Sequence, residues 1–176
     1  MKPEEKARVK IDQWLTEAGW KVINRDEFEA DSSAVAVREG LLKGNREADY
    51  FLFINGKAVG ILEAKREEID ANKGVVCDQV EAYARGVPSY YTAYQKPIPF
   101  LYTSNGKQHY FHDFRKKDSG YEEIFVMHKP KKLVEMLGIE DPFAGLPTLN
   151  SKGLRACQYE AITGLEKSFR NGQNRA

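Results

Sequence analysis

The sequence predicts an α/β fold with a mixed central β-sheet flanked by helices. Amphipathic helical patterns alternate along the chain with short β-compatible segments, as in a layered α/β domain. The segments FLFI (51–54) and AVGIL (58–62) are continuously apolar, which is typical of strands that are covered on both faces. We therefore expect the hairpin that contains both segments to supply the central strands, with helices on both sides of the sheet.

The first predicted element is an amphipathic helix. Pro3 and the two acids that follow it favour a helix start, and Gly19 favours its end. Between them, apolar residues recur at helical spacing: Ala7, Ile11, Trp14, Leu15 and Ala18. The segments WKVINRDEF (20–28) and AVAVREG (34–40) are then β-compatible, and LLKGNREA (41–48) is rich in turn and charged residues. We expect a helix, a strand, a loop and a second strand before the hairpin.

The second half of the sequence repeats this alternation. Val76, Val80 and Ala84 form one helical stripe that ends at Gly86. Residues 97–114 predict another hairpin, with Asn105 and Gly106 at its turn, that extends the same sheet. KKLVEMLG (131–138) predicts a short helix, and the Pro- and Gly-rich residues after it predict a linker. The expected division is a folded domain over 1–137, a linker over 138–150 and the start of a further unit over 151–176.

Charge and composition exclude several classes of protein. Lys and Arg number 27 against 26 Asp and Glu, so no overall positive field would hold a nucleic acid, and any DNA binding must be local or shared. The sequence has no apolar signal region and no run long enough to span a membrane, which predicts a cytoplasmic protein without membrane association. Cys77 and Cys157 lack metal-ligand spacing and are expected to be buried, reduced thiols.

Three charged residues stand at the strand ends of the central hairpin. Asp49 begins the first strand, and Glu63 and Lys65 end the second. A two-residue Asn55-Gly56 turn would place Glu63 on the opposite face of the sheet from Asp49. A three-residue turn over 54–56, with a bulge beside Gly56, would restore one common face and place Asp49 opposite Ile61. We expect the three-residue turn, because only then do the three charged side chains converge.

Two carboxylates and an ammonium at one sheet end suit a divalent metal site. Mg²⁺ prefers hard oxygen ligands, so Asp49 and Glu63 are the expected metal ligands. The Lys65 ammonium would offset the charge that develops during phosphodiester hydrolysis. The alternative is a solvated strand end whose charged residues have no common function.

The amino-acid sequence of this region closely resembles that of a known nuclease family. AVAVREG followed by ADYFLFINGKAVGILEAK resembles the amino-terminal nuclease domain of the restriction (R) subunit of type I restriction enzymes, in the PD-(D/E)xK superfamily. The resemblance implies a restriction-endonuclease-like core with Asp49, Glu63 and Lys65 as catalytic residues. Ala48 stands where the superfamily's name has proline. The resemblance also covers a Gln-x-x-x-Tyr element, Gln79 and Tyr83, which would contact DNA or support the metal site.

The same resemblance implies a larger assembly. The full subunit would be a type I site-specific deoxyribonuclease that acts on double-stranded DNA, driven by ATP and working with methyltransferase (M) and specificity (S) subunits. Residues 151–176 are similar to the Q-motif helix of superfamily 2 helicases, in which Gln158 would contact adenine. No phosphate-binding G-x-x-x-x-G-K-[ST] motif occurs in the sequence, so ATP binding is expected only in the full-length subunit with its helicase motor domain.

Two readings of the function remain open at this point. The first is a Mg²⁺-dependent endonuclease domain, and the second is a catalytically silent module of the same fold that binds DNA or docks partner subunits. Under either interpretation, His109 and His112 are not expected to share a metal ion. His109 and His112 lie three apart on a predicted strand and therefore on opposite faces.

Overall fold

The computed structural model describes residues 3–29, 33–44, 46–116, 118–139 and 149–170. The chain divides into two compact units, residues 1–133 and 134–176. The first unit holds a seven-stranded sheet whose strands lie in chain order. The strands are β1 (Lys21–Ile23), β2 (Ala34–Leu41), β3 (Glu47–Ile54), β4 (Lys57–Ala64), β5 (Phe100–Ser104), β6 (His109–Asp113) and β7 (Glu122–Glu123).

The sheet is mixed, as the sequence predicts. β1 pairs with β2 in parallel and β4 pairs with β5 in parallel, while the other neighbours are antiparallel. The central hairpin, β3 and β4, lies in the middle of the strand order. The predicted α/β class with a mixed central sheet is therefore confirmed.

Helices cover both faces of this sheet. The described helices are α1 (Pro3–Glu17), α2 (Gly74–Arg85), α3 (Pro130–Leu137) and α4 (Ala156–Arg170). Phe51 packs in one core cluster with Val80 of α2. The hydroxyl of Tyr50, the preceding residue, instead donates to Asp12 Oδ1 of α1 at 2.7 Å. Because successive strand residues point to opposite faces, α1 and α2 cover opposite sides.

The turn of the central hairpin differs from the expected one. Ile54 pairs with Lys57, so the turn has two residues, Asn55 and Gly56, with φ of 49° and 69°. Both positive values are typical of a type I′ turn, for which Asn-Gly is the favoured sequence. The predicted three-residue turn is therefore wrong.

A β-bulge in β4 nevertheless puts the charged residues on one face. Phe53 pairs with Ala58 but Leu52 pairs with Gly60, which leaves Val59 without a partner on β3. Ala58 is held from its other side, because its N–H donates to the Thr92 carbonyl at 2.8 Å. One extra residue in β4 restores the side-chain alternation that a two-residue turn would otherwise lose.

The second unit contains α4, whose described side chains are mostly exposed. Gln158 caps its first turn, because the Arg155 N–H donates to Gln158 Oε1 at 2.9 Å. The predicted linker, 138–150, lies largely outside the described residues. Cys77 is half-buried and Cys157 is exposed, so the expectation of buried thiols is wrong for Cys157. Among the helices that the structure describes, none combines the length and apolar character needed to cross a membrane.

Candidate active site

The three charged residues at the hairpin's strand ends converge on one cavity. Asp49, Glu63 and Lys65 line a cavity of about 240 Å³ together with Arg8, Ala64, Arg66 and Ile69. Asp49 precedes Phe51 by two residues and Glu63 follows Ile61 by two, and Phe51 pairs directly with Ile61. The two carboxylates therefore share the face of the sheet on which α2 packs. The pairing of Tyr50 with Leu62 makes Glu63, and not Ile61, the residue opposite Asp49.

Glu63 is the most buried acid of this cavity. Only 4% of the residue is exposed, and its Oε1 accepts a bond from Lys65 Nζ at 2.6 Å. Burial, followed by the charge of Asp49, raises the pKa of Glu63 to about 7, although Lys65 acts in the opposite direction. The cavity thus holds two carboxylates that repel each other, and the Lys65 ammonium contacts only one of them, Glu63.

Helix α2 braces Glu63 and Lys65 with an amide. Gln79 Nε2 donates to Glu63 Oε1 at 2.7 Å, and Gln79 Oε1 accepts from Lys65 Nζ at 3.0 Å. The same Nε2 lies 2.6 Å from the Tyr83 hydroxyl, which fixes the amide from its other side. Gln79 and Tyr83 are four residues apart and hence on one helix face. The structure therefore brings the Gln-x-x-x-Tyr pair to the predicted site residues.

Asp49 is held by two donors from different elements. Its Oδ2 accepts the Ala64 backbone N–H at 2.8 Å, and its Oδ1 accepts Arg8 Nη2 at 2.5 Å. Sequence reasoning missed Arg8, which lies 41 residues from Asp49. The apolar stripe of α1 predicts which face of that helix packs on the sheet, but no local pattern singles out Arg8 among the charged residues of the polar face.

The donor set fits a divalent metal such as Mg²⁺. Mg²⁺ keeps several waters and binds proteins through one or two carboxylates, and Asp49 and Glu63 supply two. Burial, and after it the repulsion from Asp49, raises the pKa of Glu63, and a bound dication would offset both by favouring the charged carboxylates. The described part of the chain has no group of three His, Cys, Asp or Glu side chains placed for a metal, so the fit is to an oxygen site completed by water.

His109 and His112 do not line the cavity. His109 stacks on Trp14 of α1 with ring centroids 3.9 Å apart, and its Nδ1 is 2.8 Å from Ser104 Oγ. His112 lies on the α2 side, with Nδ1 4.0 Å from Glu81 Oε1. The prediction that these two histidines occupy opposite faces of β6 is confirmed.

Comparison with known proteins places these residues in a family. Residues 27–137, which include Asp49, Glu63, Lys65, Gln79 and Tyr83, match the family described as the second domain of the type I restriction enzyme EcoKI endonuclease subunit. The type I restriction enzyme EcoKI endonuclease subunit of Escherichia coli (strain K12) is 27% identical over 231 residues, in an alignment that covers 97% of this chain and 19% of the relative. This chain thus spans about a fifth of that relative's length.

A solved structure is also similar along the chain. It is a fragment assigned to an HsdR subunit of a type I restriction enzyme from Vibrio vulnificus YJ016, with 21% identity and a TM-score of 0.48. The alignment covers 100% of this chain and 34% of the solved one. Because the family match over 27–137 includes more than half of the residues of this chain, the chain belongs to the family of the second domain of the type I restriction enzyme EcoKI endonuclease subunit.

Proposed function

We propose that this chain is the metal-dependent endonuclease domain of a type I restriction enzyme R subunit and that it hydrolyses DNA phosphodiester bonds. One observation carries the proposal, namely the convergence of Asp49, Glu63 and Lys65 on one cavity at the ends of two central strands. Perturbed carboxylates in a cavity are typical of functional sites, and the raised pKa of Glu63 adds to the geometric argument.

Each residue has a role that follows from its contacts. The Asp49 and Glu63 carboxylates would hold the metal, which when bound polarises a phosphoryl oxygen and acidifies water. Lys65, whose Nζ lies 2.6 Å from Glu63, would place its ammonium next to the phosphoryl oxygens, whose charge changes during the reaction. Gln79 keeps Glu63 and Lys65 oriented, and Tyr83 keeps the Gln79 amide in place.

The wider assembly belongs to the same proposal. The domain over 1–137 would cut double-stranded DNA that M and S subunits select, and the linker over 138–150 would lead to a helicase motor domain that begins within 151–176. ATP would be needed only by that motor, where Gln158 would contact adenine. In this structure Gln158 caps α4, so adenine contact would require its side chain to leave the Arg155 N–H. The proposed compartment is the cytoplasm.

One observation favours the second candidate, a catalytically silent module that binds DNA or docks subunits. Both Asp49 oxygens and Glu63 Oε1 already accept bonds from protein donors. A site whose acids are satisfied internally can persist for structural reasons alone. Metal binding separates the two functions, because only the endonuclease needs the acids to accept a dication.

The test is calorimetric titration of the chain with Mn²⁺ and Mg²⁺. We expect one saturable site in the parent chain, loss of that site in Asp49→Asn and Glu63→Gln, and unchanged binding in the control Glu122→Gln on β7. Full-length R subunit with Glu63→Gln, assembled with its partner subunits, should then fail to cut DNA. Absence of metal binding in the parent, together with unimpaired cleavage by the Glu63→Gln subunit, would contradict the proposal.

A further inference from the structure

Arg8 joins the site from a part of the chain that the family match does not include. The match begins at residue 27, whereas Arg8 lies in α1. Its Nη2 donates to Asp49 Oδ1 at 2.5 Å and its Nη1 donates to Glu39 Oε1 at 3.1 Å. One guanidinium therefore bridges two carboxylates that belong to neighbouring strands, β2 and β3.

The bond to Asp49 sets Arg8 in competition with a dication. Asp49 Oδ2 is bonded to the Ala64 backbone N–H, which the end of β4 holds in place. Oδ1 is the remaining oxygen, and Arg8 lies against it. A dication bound at Asp49 would lie close to the positive charge of the Arg8 guanidinium, and two neighbouring positive charges repel strongly in a partly buried cavity. Arg8 must withdraw from Oδ1 for Asp49 to bind metal well.

Glu39 gives the withdrawn guanidinium a second partner. The pairs Arg38–Tyr50 and Gly40–Ala48 place Glu39 opposite Asp49 across the β2–β3 ladder. Its side chain is more than half exposed and so retains capacity to accept further bonds. Its φ of 53° lies in the left-handed region, which a residue with a side chain rarely adopts and which is enriched at functional sites. Arg25 Nη1 donates to the Glu39 carbonyl at 3.1 Å and holds this backbone.

We propose that Arg8 is a positioning residue that acts as an exchangeable counter-ion for Asp49. It neutralises and orients the carboxylate before metal binds, and it moves wholly onto Glu39 when a dication takes its place. Arg8 thereby sets the metal concentration at which the site loads. The inference rests on the proposed function, because it requires Asp49 to be a metal ligand.

Metal affinity is the readout that a purely structural Arg8 would not move. Titration of Mn²⁺ into Arg8→Gln should show binding roughly five- to tenfold tighter than in the parent, since a charged hydrogen bond no longer has to be broken. The control is Lys10→Gln, which removes the same charge from the same helix. Lys10 pairs with Glu67 at 2.8 Å and does not line the cavity, so its removal should change affinity less than about twofold.

Glu39→Gln tests the second half of the exchange. It should weaken Mn²⁺ binding, by roughly threefold, because the displaced guanidinium loses its charged partner. In the Arg8→Gln background the same substitution should have no further effect, since interaction energies between contacting residues vanish once one partner is gone. An equal weakening in both backgrounds would show that Glu39 acts only through its own charge, and would overturn its role as the receiving partner.

The outcomes separate this inference from the function beneath it. Parent-like Mn²⁺ affinity in Arg8→Gln, with only a lower melting temperature, would make Arg8 a structural tie and overturn the proposal. A parent chain that binds no metal, together with unimpaired cleavage by the Glu63→Gln subunit, would instead overturn the proposed function. If Arg8→Gln does not fold, Arg8→Lys carries the test. A lysine keeps the charge but cannot bridge both carboxylates, so its affinity should exceed that of the parent, and parent-like affinity would again overturn the proposal.

Discussion

Glu63 and Asp113 are equally buried carboxylates with opposite electrostatic outcomes. Each residue is 4% exposed. Glu63 is beside Thr103 near the end of β5 and Asp113 is beside Phe100 at its start, so about 10 Å of strand separates them. Burial, Asp49 and the opposing Lys65 leave the pKa of Glu63 raised to about 7. Burial also acts to raise the pKa of Asp113, but the bonds from Arg115 outweigh it and the pKa is lowered.

The difference teaches that the partner, and not the burial, distinguishes the acid at the candidate site from the acid at the other end of β5. Arg115 donates one bond of 2.8 Å to each oxygen of Asp113, so this acid already has a bidentate, oppositely charged partner. The cavity beside Arg115 is the larger one, about 440 Å³ against 240 Å³. Its lining includes three cations, Arg85, Arg115 and Lys116, and one acid, Glu81, so it suits a dication less well than the smaller cavity does.

The largest expected effect comes from neutralising both acids in turn with isosteric amides. Asp113→Asn should lower the free energy of unfolding by about 2 kcal/mol, because it breaks a buried, bidentate ion pair. Glu63→Gln should change it by less than about 1 kcal/mol, because it removes a carboxylate that repels Asp49 while its amide oxygen can still accept from Lys65. Urea denaturation of both variants at pH 8, where Glu63 is charged, measures the contrast. Equal losses of unfolding free energy in the two variants would show that Arg115 does not stabilise Asp113 more than Lys65 stabilises Glu63.

His109 sharpens the comparison by adding a pH dependence at the site end of β6. Burial lowers the pKa of His109 to about 4 from its ordinary 6.5. A depressed folded-state pKa contributes stability that is present above pH 6.5 and is lost as the pH falls towards 4. Because solvent reaches part of the ring, we expect this loss to be about 1 to 2 kcal/mol. The urea midpoints at pH 7.5 and pH 4.5 should therefore differ less in His109→Asn than in the parent. An equal difference in both proteins would show that His109 does not cause the pH dependence.

The smallest expected effect concerns backbone strain beside the site. Glu39, with φ of 53°, lies opposite Asp49, and the end of β6 near Asp113 has no described non-glycine residue of positive φ. Glu39→Gly and Glu39→Ala both remove the carboxylate, so their difference isolates the backbone. The glycine variant should be more stable by about 1 kcal/mol, measured by thermal unfolding. A more stable alanine variant would show that β2 carries no strain there.

Sequence reasoning reached the elements and site residues whose signals are local. The stripe of Val76, Val80 and Ala84 predicts α2, and all three residues are inside the core. Asp49 and Glu63 could be selected because each stands at the end of an apolar strand. The resemblance added Gln79, which the structure places against Glu63, and Tyr83, whose hydroxyl contacts the Gln79 amide.

What the sequence could not predict depends on contacts between distant segments. Asn55-Gly56 is compatible with either turn length. The parity change of the two-residue turn is compensated by the bulge at Val59. The bulge lies next to Ala58, whose N–H donates to the Thr92 carbonyl, more than 30 residues away. No sequence pattern around Val59 predicts a bulge. Arg8 reaches Asp49 only because the sheet and α1 have already packed, so its role becomes visible in three dimensions alone.

The unpaired Val59 gives the central hairpin a rule for insertions and deletions. Adding or removing one residue between Asp49 and Glu63 exchanges the faces on which the two acids stand, whereas a change of two residues leaves them together. Related chains that keep both acids on one face should therefore vary in this loop by even numbers of residues, or should gain or lose a bulge at the same time. A designer who grafts a new turn onto this hairpin has to count residues before choosing them.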